Sequence, residues 1–420
     1  MRRFHMTTVL VMVLGLLATM GAMPCEAAAE SLGEPIRVGV IQPLTGECSL
    51  WGLPIFRCAE IYAEQINAKG GLRAGGKRHL VEVKGYDNIC YLPDEELKMA
   101  QKAVLHDKVK YIFGTCNSRA RIATARFTTE QKVLTVGYGI GYLSPDYPYT
   151  MAAATGTPVT LGLNLAWLNW EQPDVKRVAI FCVDTVPEAQ AWYEAACVAE
   201  GLEIVYNELY PMDTKDFDPL MTAILATKPD VIAQHGTAEQ GAFVESARRL
   251  GFTGYILSDD WDVHNVVGRV PAEYVDGKIF SAGGQQYSDP NACPLAREAY
   301  AMYVEKYGKK EWAPFAGLSH EDMAVVLGVG IPAADSIDPT DVMKKLYSMS
   351  EIDHPILGKS GWGGMEMFGC DYHLYTSVPI LGYDAKAGDM RLVAMPSFSD
   401  WWNGKKAKMV PVLKKYDLVK

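Results

Sequence analysis

The sequence predicts an α/β protein with two doubly wound domains, each built around a parallel sheet. From residue 35 onward, short apolar runs alternate with stretches of helical spacing, the rhythm of a parallel sheet covered by helices. The alternation pauses at residues 152–158 and then starts again with the same rhythm. A chain of 420 residues is long enough for two packed cores. We therefore expect a second domain of similar topology, joined to the first near residues 152–157.

The first series predicts four strands separated by helices. The apolar runs that predict these strands lie at residues 36–41, 80–83, 111–114 and 133–136. Helices are expected after the first two strands, because apolar residues recur there at helical spacing. A glycine pair at residues 70–71 ends the first of these helices.

The strand predicted at residues 111–114 leads into a polar loop, residues 115–119, and then a helix. In an open α/β sheet, ligands collect outside the carboxyl ends of the strands, where the next helix offers unpaired backbone N–H groups. Asn117 and Ser118 are equally suited to capping that helix and nothing more. The loop is therefore a candidate anion site whose role depends on the rest of the chain.

The second series predicts four further strands and three helices. The strands are expected at residues 177–182, 202–206, 230–234 and 255–258, and the helices at residues 188–199, 219–227 and 239–250. The last third of the chain predicts helices at residues 294–307, 321–334 and 340–349, and antiparallel hairpins between residues 356 and 381. The remainder, aromatic and then basic, is assigned to a C-terminal tail.

Composition excludes some classes of partner. With 49% hydrophobic and 21% charged residues, the chain has an ordinary soluble composition. The net charge of -10 argues against nucleic acid as the main partner, because a phosphate backbone requires a basic face.

The N-terminus predicts a secretory signal peptide, residues 1–29. Arg2 and Arg3 precede an apolar run at residues 9–23, and small residues at 27–29 supply a cleavage motif. Cys25 suggests a lipoprotein anchor as the alternative, but the preceding Pro24 fits that processing motif poorly. We therefore expect an exported protein, located in the periplasm, whose mature chain begins near residue 30.

Export changes the interpretation of the cysteines. Of nine cysteines, eight remain once Cys25 is removed, and an even number in an exported chain favours disulfides over catalytic thiols. No Cys-x-x-Cys pair is present, so zinc or thioredoxin-type chemistry is not expected. Spacing alone does not fix the pairing; the candidates are Cys90 with Cys116, Cys48 with Cys58, and pairs among Cys182, Cys197, Cys293 and Cys370.

A family resemblance emerges from several segments in their order along the chain. These segments are residues 36–46 with Trp51 and Gly52, residues 66–71, residues 86–87, Cys90 with Cys116, residues 215–218 and residues 247–252. From about residue 35 to about residue 393, the chain resembles the type I periplasmic binding proteins of the branched-chain amino acid transport family. These are the solute receptors of ABC importers.

The resemblance implies two α/β domains joined by a three-crossing hinge, with ligand bound in the cleft between them. The implied crossings lie near residue 153, residues 281–285 and residues 357–363. The implied first domain comprises residues 33–153 and 284–360. The second domain, with the C-terminal tail, comprises residues 154–283 and 361–420. The resemblance also implies a disulfide between Cys90 and Cys116, and closure over the ligand by a hinge motion.

In the first domain, the resemblance assigns an aromatic residue and a polar loop to the ligand. Trp51 matches the aromatic residue that covers the ligand in this family; the alternative is a packing role. Asn117, Ser118 and Arg119 match the loop that holds the ligand carboxylate. Arg119 departs from the family, which has a small residue there, and can either form a bidentate contact with a carboxylate or point to solvent.

A second binding loop of the family also has a counterpart in this domain. It corresponds to Tyr138, Gly139, Ile140 and Gly141. The family usually has a small residue and a threonine where Ile140 and Gly141 stand, so a hydroxyl is missing. This departure puts recognition of an α-amino group in doubt.

In the second domain, three residues are candidates for ligand contact. His235 ends a strand and either faces the cleft or forms a structural hydrogen bond. Asp260 matches the position where amino acid receptors place a carboxylate against the ligand ammonium, the partner that a desolvated cation requires. Trp261 is a candidate second wall. The three carboxylates Asp259, Asp260 and Asp262 could hold a metal ion instead, but such a loop is more often a solvated turn, so no metal is predicted.

The function expected from these residues is delivery of a small, carboxylate-bearing solute to an ABC permease and ATPase by a monomeric binding protein without a cofactor. An amino acid is the first candidate ligand, and a small aromatic acid is the second. The alternative function is a sensory ligand-binding protein for a chemoreceptor or kinase. No catalytic residue is predicted, because the chain lacks the serine-hydrolase, zinc-protease and phosphate-loop motifs.

Overall fold

A computed structural model describes residues 31–46, 48–89, 92–115, 118–137, 143–236, 240–259, 261–283 and 287–419; for residues 118–121, 123 and 314 it describes the backbone alone. In chain order, the strands are β1 (Ile36–Gln42), β2 (Leu72–Ala74), β3 (Lys77–His79), β4 (Val81–Asp87), β5 (Tyr111–Phe113), β6 (Leu134–Gly137), β7 (Thr150–Ala152), β8 (Arg177–Val183), β9 (Glu203–Tyr210), β10 (Val231–His235), β11 (Tyr255–Ser258), β12 (Ile279–Ala282), β13 (Ile352–His354), β14 (Gly358–Gly363), β15 (His373–Tyr375), β16 (Ile380–Asp384) and β17 (Asp389–Ala394).

The helices cover the two large sheets that these strands form. In chain order, they are α1 (Ser49–Ala68), α2 (Pro93–Gln101), α3 (Ser118–Glu130), α4 (Val159–Glu171), α5 (Pro187–Glu200), α6 (Asp218–Ala226), α7 (Gln240–Arg249), α8 (Val263–Val267), α9 (Ala272–Val275), α10 (Pro294–Tyr307), α11 (Leu318–Val325), α12 (Ile331–Ala334), α13 (Pro339–Ser348), α14 (Met365–Phe368) and α15 (Phe398–Lys414). Of the helices in the described ranges, none is both long enough and apolar enough to cross a membrane.

The two sheets confirm the predicted fold class. The first has the strand order β13-β14-β15-β7-β6-β5-β1-β4, and the second has the order β17-β16-β12-β11-β10-β8-β9. In each sheet the five strands from the βα series are parallel. In the first sheet β15 adds a parallel pairing with β7, and β14 and β13 follow it as antiparallel strands. In the second sheet β16 and β17 are both antiparallel. The two series thus form two mixed, mostly parallel sheets, as their shared rhythm predicted.

Strand β8 illustrates why the central strands have continuous apolar sequences. Val178, Ile180 and Cys182 face one core, while Ala179 and Phe181 face another core on the opposite side of the sheet. A strand that is buried on both faces has no polar side, so its sequence does not alternate. Helices must therefore cover both faces of this sheet.

The chain passes between the sheets three times. It crosses after β7, returns after β12, and crosses again between Tyr375 and Ile380. The third crossing was predicted at residues 357–363, which is wrong because those residues form the hairpin strand β14 of the first sheet. The expected domain boundary at residue 360 consequently falls inside β14.

A reciprocal pair of hydrogen bonds links the first crossing to the third. The backbone N–H of Thr155 donates to Oγ1 of Thr376 at 3.1 Å, and the backbone N–H of Thr376 donates to Oγ1 of Thr155 at 2.9 Å. Both threonines are buried. The two crossings therefore lie side by side as a bonded unit.

The C-terminal residues form a packed helix rather than a tail. Helix α15 packs against α5, and it buries Trp401 and Trp402 in a core of the second sheet. The indole N–H of Trp401 donates to a carboxylate oxygen of Glu200 at 2.9 Å. The aromatic composition of this segment thus reflects core packing.

The cysteines differ from some of the expected pairings. Cys48 is disulfide-bonded, but its partner lies outside the described residues. The expected bridge from Cys48 to Cys58 is wrong, because Cys58 is a free thiol on the buried face of α1, where burial raises its pKa. Cys182 and Cys197 are likewise buried free thiols. Cys90 and Cys116 lie outside the described residues, so their pairing stays a prediction.

Candidate functional site

The carboxyl edge of the first sheet gathers buried polar groups. Gln42 ends β1, is fully buried, and donates from its side-chain amide to the carbonyl oxygen of Gly114, just beyond β5. The hydroxyl of Thr115 is buried and has no hydrogen-bond partner among the described residues. Polar groups at the carboxyl ends of parallel strands are typical of ligand sites in α/β sheets.

Trp51 lies in the first turn of α1, which follows β1. The side chain is half-buried. The next residue, Gly52, allows the helix to approach the loop after β1 closely, because a Cβ at that position would lie 2.1 Å from the carbonyl oxygen of Pro43. This close approach fixes the start of α1 over the end of β1.

Asp87, at the end of β4, binds two segments of this edge. Its carboxylate accepts hydrogen bonds from the backbone N–H groups of Leu44 and Ile89, both at 3.1 Å, and from the hydroxyl of Thr45. Burial alone would raise the pKa of Asp87, but these hydrogen bonds outweigh burial and lower it. Asp87 therefore carries a charge in the neutral range.

The carboxyl edge of the second sheet holds a buried histidine and carboxylate. His235 ends β10 and Asp259 follows β11, so the two residues meet at neighbouring strand ends. Nδ1 of His235 lies 2.9 Å from Oδ1 of Asp259, and the hydroxyl of Ser258 donates to the same oxygen at 3.2 Å. Since a carboxylate only accepts, Nδ1 is the protonated ring nitrogen. His235 thus forms a buried side-chain hydrogen bond with Asp259.

A hydrogen-bond network holds the backbone on which His235 stands. The hydroxyl of Tyr193 donates to the carbonyl oxygen of Gln234 at 3.0 Å. The side-chain amide of Gln234 donates to the hydroxyl of Tyr210 at 3.2 Å, and that hydroxyl donates to the carbonyl oxygen of His235 at 3.4 Å. All these groups are buried, which makes the strand end rigid.

Trp261 lies in the core behind this edge. It is 1% exposed, and its indole N–H donates to the carbonyl oxygen of Phe280 at 2.9 Å. The ring packs with the apolar side chains of a core of the second sheet. In this structure, Trp261 therefore supports the strand ends from within.

The other expected contact residues are not described to the level of their side chains. Ser118 and Arg119 begin α3, of which the structure describes only the backbone there. Asn117, Tyr138, Gly139, Ile140, Gly141 and Asp260 lie outside the described residues. Within the described ranges, no three His, Cys, Asp or Glu side chains are grouped in a way that could hold a metal ion.

The chain matches known proteins over most of its length. The family model described as periplasmic binding protein matches residues 35–388. The Leu/Ile/Val-binding protein of Escherichia coli strain K12 is 25% identical over 351 residues, which cover 80% of this chain and 90% of that protein.

Solved structures share the fold. A substrate-binding protein of a branched-chain amino acid transporter from Streptococcus pneumoniae, in complex with isoleucine, has a TM-score of 0.68 at 19% identity, covering 86% of this chain and 100% of that one. A solute-binding protein of an ABC transporter from R. palustris, in complex with 4-hydroxybenzoate, has a TM-score of 0.66 at 21% identity, covering 87% and 96%. The chain belongs to the periplasmic binding protein family, and within it to the type I proteins of the branched-chain amino acid group.

Proposed function

We propose that this protein is the extracytoplasmic solute receptor of an ABC importer. It binds a small, carboxylate-bearing solute between its two domains and closes over that solute by a hinge motion. The observation that carries the proposal is the family match over residues 35–388. Two further features support it: each sheet has polar residues at the carboxyl ends of its strands, and the chain passes between the sheets three times. A receptor of this kind binds its solute without transforming it.

The first candidate ligand is an amino acid, and the second is a small aromatic acid. The name of the E. coli relative supports the first, and the 4-hydroxybenzoate complex supports the second. Arg119 offers a bidentate partner for a carboxylate in either class. Asp260 offers a counter-charge for an ammonium, whereas Trp51 and Tyr138 suit an aromatic ring.

The remaining proposed contacts complete the site. Asn117 and Ser118 hold the carboxylate, and the loop at residues 138–141 lies along the solute. His235 contributes a polar group from the second domain. These assignments rest on the resemblance and on the position of each residue at or near a strand end.

The proposed partners are a membrane permease and its ATPase, which the monomeric receptor meets after export and removal of residues 1–29. A sensory protein for a chemoreceptor or kinase is the second candidate function, because it would use the same fold and cleft. Genes for a permease and an ATPase beside this one would favour import, and a receptor or kinase gene would favour sensing.

A thermal-shift panel tests solute binding. The chain from residue 30 is mixed with L-leucine, L-isoleucine, L-valine, 4-hydroxybenzoate and 3,4-dihydroxybenzoate. A ligand present at 100 times its Kd stabilises the folded form by about 2.7 kcal/mol, so a true ligand raises the melting temperature. If no compound in this panel or in a broader set of amino and organic acids does so, the proposal is wrong.

The variant Asp260→Asn separates the two ligand classes. Loss of the carboxylate is expected to weaken an amino acid by roughly 2 kcal/mol or more, as for other buried charge pairs, while leaving a benzoate unchanged. Asp262→Asn is the matched control in the same loop, because Asp262 caps α8 and asparagine caps equally well. Equal amino acid affinity in Asp260→Asn and its control would show that Asp260 does not meet the ammonium.

A further inference from the structure

We propose that Asp87 is a positioning residue for the solute site: by holding the loop after β1, it fixes the first turn of α1 and therefore the place of Trp51. This inference rests on the proposed function, in which Trp51 forms part of the cleft wall. Asp87 itself need not touch the solute. It acts through a chain of described contacts that begins at the end of β4.

The first link joins β4 to the loop at residues 43–46. Strands β1 and β4 are parallel neighbours, and Gln42 is paired with Asp87 in their register. The two strands therefore end side by side. Leu44 and Thr45, the second and third residues beyond β1, both donate hydrogen bonds to the carboxylate of Asp87. Leu44 donates from its backbone N–H, so Asp87 holds the backbone of the loop. Thr45 donates from its hydroxyl, so Asp87 also holds a side chain of the loop.

Packing strengthens this link. Leu44 lies directly over Gly85, where an added Cβ would be 2.8 Å from a methyl group of Leu44. The absence of a side chain at position 85 makes room for the loop, and the carboxylate two residues later binds it. The same strand thus supplies both the space and the hydrogen bonds.

The second link joins the loop to α1. The hydroxyl of Ser49, the first residue of the helix, donates to the carbonyl oxygen of Gly46 at 2.7 Å, and its backbone N–H donates to the same oxygen at 3.2 Å. Gly52 packs its backbone against Pro43. Trp51 lies between these two anchor points, so a shift of the loop must move it.

The turn after Asp87 is strained in a way that favours a functional role. Ile89 has a φ of 47°, in the left-handed region, which is unusual for a β-branched residue, and its side chain is 51% exposed. The carboxylate of Asp87 stabilises this conformation by accepting from the N–H of Ile89. Strained backbone of this kind concentrates at ligand sites. Asp87 therefore holds both the segment that follows β1 and the segment that follows β4.

Fluorine NMR reports the local environment of the Trp51 side chain. The protein is labelled with 5-fluorotryptophan, and the resonance of Trp51 among the nine tryptophans is identified by its loss in Trp51→Phe. Asp87→Ala is expected to shift or broaden this resonance without any ligand. The matched control is Asp384→Ala, which removes a carboxylate that accepts two backbone N–H groups in the turn between β16 and β17. An unchanged Trp51 resonance in Asp87→Ala would overturn the inference.

Affinity provides the second measurement, by titration with L-isoleucine and with 4-hydroxybenzoate. Asp87→Ala is expected to lower the affinity for the solute that the wild type binds on the order of tenfold, by analogy with residues that orient metal ligands. Asp384→Ala should bind as the wild type does. Wild-type affinity in a folded Asp87→Ala would contradict the inference about Asp87. The proposed function, solute binding, would still stand. If the wild type binds neither solute, the proposed function fails for them, and the fluorine resonance still decides the role of Asp87.

Asp87→Asn covers the case in which the alanine variant does not fold. The amide keeps one acceptor oxygen but loses the charge, so it retains part of the contact with the loop. Its Trp51 resonance is expected to lie between those of the wild type and a fully released loop. A wild-type resonance and wild-type affinity in Asp87→Asn, together with global unfolding of Asp87→Ala, would assign Asp87 to stability alone.

Discussion

The reciprocal hydrogen bonds between Thr155 and Thr376 predict that the variant Thr376→Val loses stability. Valine has the shape of threonine without the hydroxyl, so the substitution opens no cavity. It removes the oxygen that accepts from the backbone N–H of Thr155 at 3.1 Å. The opposite bond, from the N–H of Thr376 to Oγ1 of Thr155, remains.

The magnitude follows from burial. Thr155 and Thr376 are only 6% and 1% exposed, so water does not replace the lost acceptor. A buried donor left without a partner costs about 1–3 kcal/mol, and we expect the free energy of unfolding to fall by this amount. The double variant with Thr155→Val removes both bonds and should lose more stability than either single variant.

Urea unfolding followed by tryptophan fluorescence measures the loss. The midpoint should fall while the slope with denaturant stays constant, because the surface exposed on unfolding is unchanged. The matched control is Thr222→Val on α6, where the hydroxyl donates to the carbonyl oxygen of Asp218 at 2.7 Å but is exposed. This control should change stability by less than about 0.5 kcal/mol.

A loss in Thr376→Val as small as that of the control would refute the reasoning. It would mean that the N–H of Thr155 finds another partner, and that the first and third crossings are not joined by this pair. A double variant as stable as Thr376→Val alone would also contradict the reciprocal pair.

Two further predictions concern buried groups. Burial, and next the charge of Asp322, raise the pKa of Glu321 well above 4.5. The folded form therefore keeps a proton that the unfolded chain releases. As a result, the stability of the wild type declines as pH rises above about 4.5. Glu321→Gln should therefore be more stable than the wild type at pH 7 and lose this advantage at pH 4 in urea unfolding; an equal difference at both pH values would contradict it. Non-reducing peptide mapping should find Cys48 in a cross-linked peptide, and a link from Cys48 to Cys90 or Cys116 would exclude the proposed bridge between those two, since each sulfur forms one disulfide.

The sequence predicted the strands well where they are apolar and buried on both faces, as in β8 and β10. It missed α4, because residues 159–168 are all buried and a helix without a polar face shows no helical period. The third crossing was misplaced because β14 is short and rich in glycine, so its pairing with β13 and β15 is set by contacts distant in sequence.

A site residue could be predicted only where a single segment of the sequence identifies it. His235 was a candidate from its place at a strand end, but its partner Asp259 lies on another strand, and only the sheet order brings them together. The role of Asp87 was not foreseen, because it depends on three segments meeting. The clue available in the sequence was an aspartate close to the end of a strand, which is common before ordinary turns as well.

The two sheets also determine when the protein can fold during synthesis. The first sheet is completed by β13–β15, and the second by β16, β17 and the tryptophans of α15, all contributed by residues after 350. A ribosome releases these residues after those of both βα series, so neither core is complete until they have emerged. A chain that stops at residue 400 would lack Trp401, Trp402 and most of α15, so we expect the core of its second sheet to be incomplete.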